Sequence, residues 1–352
     1  MTERRCRRVR LAPALVAAAL LAGLGTSGAL AAADGRVVVR FADPAITESS
    51  GLVVVRGDLV TVNDSGGEPV LFSVDAATGE TVATTRFAVA QTDVEALAPS
   101  ADDPGRVWVG DLGNNDGSRS TVTVTEVTVD GSSDLGSATS YDLRYPSGER
   151  PDAEALLCDP TSGRLYVVTK AILGGTVYAA PARLRTDRPN PLRPVGTVGS
   201  VITDGAFWPD GRHVLLRNYG EVGVYTFPGF EPVATMPLPA QEQGEALAVD
   251  GDGSLLLTSE GEHAAVLGVR LPARLRAVLD GAPASSDDAS AAASASASAG
   301  PSPSASPSPA RDDQADAADD GLLGTIEWLL LGGVVVATGL LVVVFRRWYP
   351  AE

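Results

Sequence analysis

Cysteine, histidine and lysine are nearly missing from this 352-residue chain, and each scarcity closes off a chemistry. Of the two cysteines, Cys6 lies ahead of the first apolar run. A chain cleaved after that run keeps only Cys158, has no internal disulfide, and must hold itself together by packing. The two histidines, His213 and His263, lack the neighbours that a zinc site needs. No G-x-S-x-G elbow occurs, so a hydrolase triad of that kind has no nucleophile context, and no P-loop or dinucleotide fingerprint is present. Lys170 is the single lysine among 27 basic residues, which face 44 acidic ones. The resulting charge of −17 argues against nucleic acid as a partner, although part of it sits in the C-terminal tail.

The two ends read as targeting and anchoring segments. Residues 1–33 combine Arg4, Arg5, Arg7, Arg8 and Arg10 with a short apolar run and Ala29-Leu30-Ala31, the pattern of a secretory signal peptide. Residues 321–345 contain an uncharged stretch from Trp328 to Phe345, followed at once by Arg346 and Arg347. That length and flank predict a transmembrane helix, with 346–352 as a cytoplasmic tail and the bulk of the chain extracellular. Between body and anchor, residues 279–320 are rich in Ala, Ser, Pro and Asp and read as a disordered stalk, too poor in apolar surface to offset its ordering entropy. The expected localisation is the cell membrane, single-pass.

The body, 35–278, shows almost no helical periodicity. Short Val-, Leu- and Thr-rich runs are punctuated by the turn signals VDAATGE, DPTSGR, PDGR and DGDGS. Five runs each open on an acid: Glu48, Glu95, Glu154, Asp204 and Glu245, at intervals of 47, 59, 50 and 41 residues. The first unit divides into strands over 48–55, 59–63, 70–74 and 81–87. Four strands per unit predict an all-β fold, a β-propeller of five blades, with six the alternative if the second interval hides another. The last unit lacks a fourth strand, and the run Val37 to Phe41 is left over, so the N-terminal strand is expected to close the ring.

The phrases ESSGLVV…VNDSGG, TDVEALA…VGDLGNN, PDAEALL…LYVVTK and QGEALAV…LLTSEG resemble exported bacterial propellers of the actinobacterial type. They are similar to the esterase-like phytase and SdiA-regulated groups, and more distantly to lactonase-type propellers. Those relatives mostly have six blades. The lactonase-type likeness implies a divalent ion in the channel held by Glu48, with Asn63, Asp64, Asp111 or Asn218 as partners.

If each acid starts an innermost strand, Glu48, Glu95, Glu154, Asp204 and Glu245 form a ring at one channel mouth. Such a ring raises its own pKa values unless a cation offsets them, and oxygen ligands suit calcium or magnesium. The other reading is that each carboxylate caps backbone N–H groups of a neighbouring blade. Lys170 is either a counter-ion in that ring or a catalytic lysine. The loop Gly110 to Gly117 is either an oxygen-ligand loop or a locally hydrogen-bonded turn.

The expected function is a membrane-anchored extracellular binding module with a cation-occupied channel, its ligand a small molecule, a wall glycan or a surface protein. The alternative is a metal-assisted hydrolase of esters, lactones or phosphoesters, using Glu48 and Glu245 on the metal and Lys170 or Asp111 as assistants.

Overall fold

The computed structural model describes residues 34–64, 68–89, 91–129 and 137–281. Five sheets are arranged as blades. The first is β2 (Ser49–Val55), β3 (Asp58–Asn63), β4 (Val70–Val74) and β5 (Thr81–Arg86), within a residue or so of the strands expected from the sequence. The second holds β6 (Val94–Pro99), β7 (Arg106–Asp111), β8 (Thr121–Thr128) and β9 (Ala138–Arg144). The runs that could have hidden a sixth blade are therefore the outer strands of the second. The third holds β10 (Ala153–Cys158), β11 (Leu165–Thr169), β12 (Thr176–Ala179) and β14 (Arg193–Thr197). Ahead of β14, the two-residue β13 (Asn190–Pro191) pairs in parallel with β9. The fourth holds β15 (Asp204–Phe207), β16 (His213–Arg217), β17 (Glu221–Thr226) and β18 (Pro232–Pro237). The fifth holds β19 (Gly244–Val249), β20 (Leu255–Ser259), β21 (Ala265–Val269) and, as its outer strand, β1 (Gly35–Arg40).

That last pairing closes the ring. β1 lies antiparallel to β21 from Gly35 opposite Val269 to Arg40 opposite Ala265. Phe41 and Ile46, both fully buried, then plug the interface between the fifth and first blades. Gly79 in the first blade passes so close that a Cβ would meet the Arg40 carbonyl at 1.9 Å, and its φ is +79°, so only glycine fits there.

The repeated turns work by one mechanism. The Asp75 carboxylate accepts the amides of Ala77 and Thr78, that of Asp159 accepts Thr161, that of Asp210 accepts Arg212, and that of Asp252 accepts Ser254. A side chain that satisfies the turn amides locally stops one strand and starts the next. Between blades, the alternating inward residues interdigitate into five apolar clusters, one at each blade interface. The first-to-second interface packs Val53 and Leu71 on Leu97 and Val109; the third-to-fourth is built on Tyr166, Phe227 and Phe230.

One element runs against the all-strand reading. After β21 the chain forms α1 (Ala273–Leu279), which drops Leu275 and Leu279 onto the core between the fourth and fifth blades while the Arg276 guanidinium lies 5.0 Å over the Trp208 ring. Leu279 is fully buried, so the packed body reaches at least that residue, where the stalk was expected to begin.

The expected fold class is corrected, for the described residues, to a five-bladed propeller closed by its N-terminal strand, with no transmembrane helix among them. Among the described residues no helix is long and apolar enough to cross a membrane. α1 has seven residues and carries Arg274 and Arg276; it rises ~10 Å, against ~30 Å of hydrocarbon. Membrane anchoring, the membrane as a partner and single-pass localisation lose their support with it. The anchor at 321–345, the tail at 346–352, the leader at 1–33 and nearly all of the stalk at 279–320 lie outside the described residues.

Candidate functional site

β2, β6, β10, β15 and β19 are the first strands of their sheets, and they pack on one another in a closed ring around the channel. Pairing fixes which residues occupy equivalent places on them. Gly51 lies opposite Val62, Ala96 opposite Gly110, Ala155 opposite Val168 and Gly205 opposite Leu216. The residue before each is the ring position: Ser50, Glu95, Glu154 and Asp204, with Glu245 in the fifth blade. In β2, β6, β10 and β19 the ladder register shifts at this point. A β-bulge there re-aims the side chain away from the ladder, which is how a strand edge presents a polar group to a site.

Glu48 is therefore not the ring residue of the first blade; Ser50 is. Glu48 precedes β2 by one residue and corresponds to Asp93, Asp152 and Gln243 in the other blades. Reading Gly51-Leu52 against Ala96-Leu97 and Ala155-Leu156 finds this shift. The same pairing places Asn63, Asp111, Thr169, Arg217 and Ser259 in one row, and Asp64, Leu112, Lys170, Asn218 and Glu260 in the next. Lys170 thus corresponds to Leu112, not to Asp111.

The first of these rows is largely structural. Asn63 Oδ1 accepts the amides of Thr47 and Glu48, and its Nδ2 donates to the Ala45 carbonyl. Asp111 accepts the amides of Thr92 and Asp93 and is bridged by Arg119 at 2.7 Å, so both its oxygens are engaged. In the second row, Asn218 folds a hairpin by accepting the amides of Gly220 and Glu221. Asp204 accepts the Leu247 amide at 2.7 Å, capping the neighbouring blade as the second reading of the ring expects.

A different trio converges. Asp64, at the end of β3, meets Asp93 and Glu95 of the second blade, with one oxygen from each within 4.8 Å of the others. Asp93 was not singled out in the sequence, although the repeated D-x-E of Asp93-Val94-Glu95 and Asp152-Ala153-Glu154 marks it. Gly113 makes room for the group. A Cβ on it would lie 2.4 Å from Asp93 Oδ2 and 2.5 Å from Glu95 Oε1.

The loop that holds Gly113 is pinned by Asn114. Its amide donates to Asp152 Oδ1, and its side chain bonds the Arg119 and Arg150 backbone. That loop is thus a hydrogen-bonded turn whose glycine, not its Asx side chains, serves the cluster.

Burial and crowding set the charge of this mouth. Glu95 is pushed up to about 11, first by burial and then by Glu154, Asp64, Asp93 and Asp152. It carries a proton at neutral pH. Glu154 is also raised by burial, though Lys170 holds it back with Nζ 2.5 Å from Oε1. Burial pulls Lys170 down, but Glu154 outweighs it, so the ammonium stays charged and lies 5.3 Å over the Tyr219 ring. Burial lifts Glu260 to about 7, with Glu245, Glu48 and Asp64 adding to it.

Between the fourth and fifth blades, Arg217 is fully buried and donates to the Gln241 side chain and the Ala246 carbonyl. Burial pulls it down to about 10, against Glu245 and Asp204, which favour its charge. Lys170 and Arg217 thus act as counter-charges to Glu154, Glu245 and Asp204. Three carboxylates without histidine or thiolate make a hard-oxygen donor set that could coordinate a divalent cation.

No family model matches the chain, and no curated protein matches it. Among solved structures it is similar to a glucose dehydrogenase at 12% identity and a TM-score of 0.44, over 68% of this chain and 99% of that one. A second glucose dehydrogenase structure gives 12% identity and 0.43, over 68% and 100%. A nidogen/laminin complex gives 14% and 0.40, over 62% and 74%. Likenesses this distant carry no argument about chemistry. None supports the phytase, SdiA-regulated or lactonase resemblance; what stands is the propeller, by its sheet topology.

Proposed function

We propose that the protein is an exported propeller binding module whose acidic channel mouth takes up a divalent cation, calcium or magnesium, at Asp64, Asp93 and Glu95. The observation that supports this is the convergence of three carboxylate oxygens, one from each residue, within 4.8 Å of one another. In the bare protein, burial and repulsion keep a proton on Glu95. A divalent ion would replace that proton and relieve the repulsion, with three protein oxygens of the six to eight that calcium takes. The remaining positions would go to water or to oxygen atoms of a ligand, which makes the mouth a place to hold a hydroxyl- or carboxylate-bearing molecule.

Binding is favoured over hydrolysis because the residues named as catalytic assistants are engaged elsewhere: Asp111 with Arg119 and two amides, Lys170 with Glu154. Export rests on the leader-like sequence of residues 1–33.

The test is the melting temperature of the chelator-stripped chain on adding calcium or magnesium. A rise that Asp93→Asn and Glu95→Gln abolish is expected. A stable stripped chain whose melting temperature ignores both ions would refute the reading.

A further inference from the structure

The two ends of the channel differ in character. Toward the starts of the inner strands stand the carboxylates. Toward their ends the channel widens into a cavity of about 340 Å³. Every inner strand contributes to its wall, through residues 52–54, 97–101, 156–158, 205–209 and 247–249. The wall begins at Leu97, two residues or ~7 Å at strand rise beyond Glu95, and includes no member of the acidic trio.

The wall holds no Asp, Glu, Lys, Arg or His. Its one thiol, Cys158, is pushed up to about 11 by burial and stays neutral. The Ser100 hydroxyl, at the rim, is already donated to Glu126. β6, β15 and β19 contribute the small Ala98, Ala206 and Ala248 to this wall, and β10 contributes Leu156 and Leu157. Protein interiors are normally packed without such gaps, and an empty apolar cavity is destabilising. The inner strands are also edge strands of their sheets, so each turns a row of backbone N–H and C=O groups, unpaired within its sheet, toward the channel.

We propose that this apolar end of the channel is a binding site for one small uncharged molecule with an apolar body and a hydroxyl, amide or carbonyl group. The apolar wall would take the body by removing it from water. The strand edges would take the polar group. An ionised ligand is excluded because nothing in the wall can offset its desolvation. The volume corresponds to about eleven liquid waters, and so to a ligand of on the order of ten to fifteen non-hydrogen atoms. The inference does not depend on the cation site, which lies at the other mouth.

The experiment uses the full-length chain and 2-naphthol as probe, followed by calorimetry and by quenching of tryptophan fluorescence, since Trp208 lines the cavity. Saturable binding at one site per chain is expected, with the anion 2-naphthoate weaker by about tenfold or more. Ala98→Leu and Ala206→Leu, which fill the space, should each weaken 2-naphthol by about tenfold or more while the variants melt cooperatively. Glu80→Gln, at an exposed position just ahead of β5, should leave it unchanged.

Absence of saturable binding, equal affinity for the anion, or undiminished binding in folded filled variants overturns the proposal. Should both filled variants misfold, a crystal soaked with 2-naphthol decides. Density in the channel between Leu157 and Leu247 supports the site, and density only elsewhere, or none, sinks it.

Discussion

Gly113→Ala probes the acidic trio without altering a carboxylate. The added methyl would sit 2.4 Å from Asp93 Oδ2 and 2.5 Å from Glu95 Oε1. That is ~1 Å inside ordinary van der Waals contact. Both crowded atoms end flexible side chains, so the carboxylates should swing aside at ~1–2 kcal/mol rather than break the blade. Cation binding has less tolerance. Calcium–oxygen bonds of ~2.3–2.6 Å let two ligands on one ion stand at most ~5 Å apart. The trio already spans up to 4.8 Å, so a shift of this size removes a ligand.

Losing one carboxylate should weaken the ion by about tenfold, or ~1.4 kcal/mol. At an ion concentration a hundredfold over the dissociation constant, the parent gains ~2.7 kcal/mol and the variant about half. For a body of this size that is a calcium-induced rise of ~5–10 °C in the parent and ~3–5 °C in the variant. Differential scanning calorimetry with chelator and with calcium reads both increments. A variant with the parent's full calcium increment would refute the idea that Asp93 and Glu95 act together on one ion.

Three further outcomes are expected. In chelator, the urea midpoint should fall as pH rises from 5 to 8. Glu95, Glu154 and Glu260 have folded pKa values raised above the ordinary carboxylate range, so the folded state binds more protons than the unfolded one, and stability drops as pH climbs from the unfolded values through about 7 and beyond. A midpoint that rises over that range would contradict the raised values, and calcium should flatten the slope. Lys170→Met should cost roughly 2–3 kcal/mol at pH 8, somewhat below a fully buried pair because Glu154 can take a proton, and less at pH 5; equal losses at both pH values would count against the pair. Removing residues 34–41 should abolish cooperative thermal unfolding, since it strips the outer strand from the fifth blade and takes out the fully buried Phe41; a sharp, parent-like transition would show that closure by β1 is dispensable.

The architecture was legible because its signals are local. Short Val-, Leu- and Thr-rich runs mark Val70–Val74 and Thr81–Arg86 as strands, and an aspartate two or three residues before a turn amide marks each break. The missing fourth strand in the last unit and the spare run at Val37 to Phe41 are complementary, so ring closure follows from counting, while the exclusion of a sixth blade needed the pairing of β8 and β9 with β7. The short helix escaped because seven residues show too little periodicity, and Leu275 and Leu279 acquire meaning only against the core they cover.

The site was legible in kind but not in membership. An acidic channel mouth follows from five acids recurring with the blades, and Glu95, Glu154, Asp204 and Glu245 take the ring position. Glu48 does not: it lies two residues earlier, at the place of Asp93 and Asp152, and Ser50 falls where it was expected. Likewise Asp111 resembles a ligand in sequence, yet pairing sends it to two amides and Arg119.

What the chain alone determined is an N-terminally closed propeller of five or six blades with an excess of carboxylates at one channel mouth, since periodicity, turn chemistry and composition are properties of neighbours in sequence; the sheets themselves number five. Only the tertiary structure decided that Asp64, Asp93 and Glu95 are the three that meet, that Lys170 serves Glu154, and that the far end of the channel is apolar and open. Those facts depend on which blade lies beside which, on a one-residue register and on the absence of a side chain at Gly113, distances of a few ångströms between residues tens of positions apart.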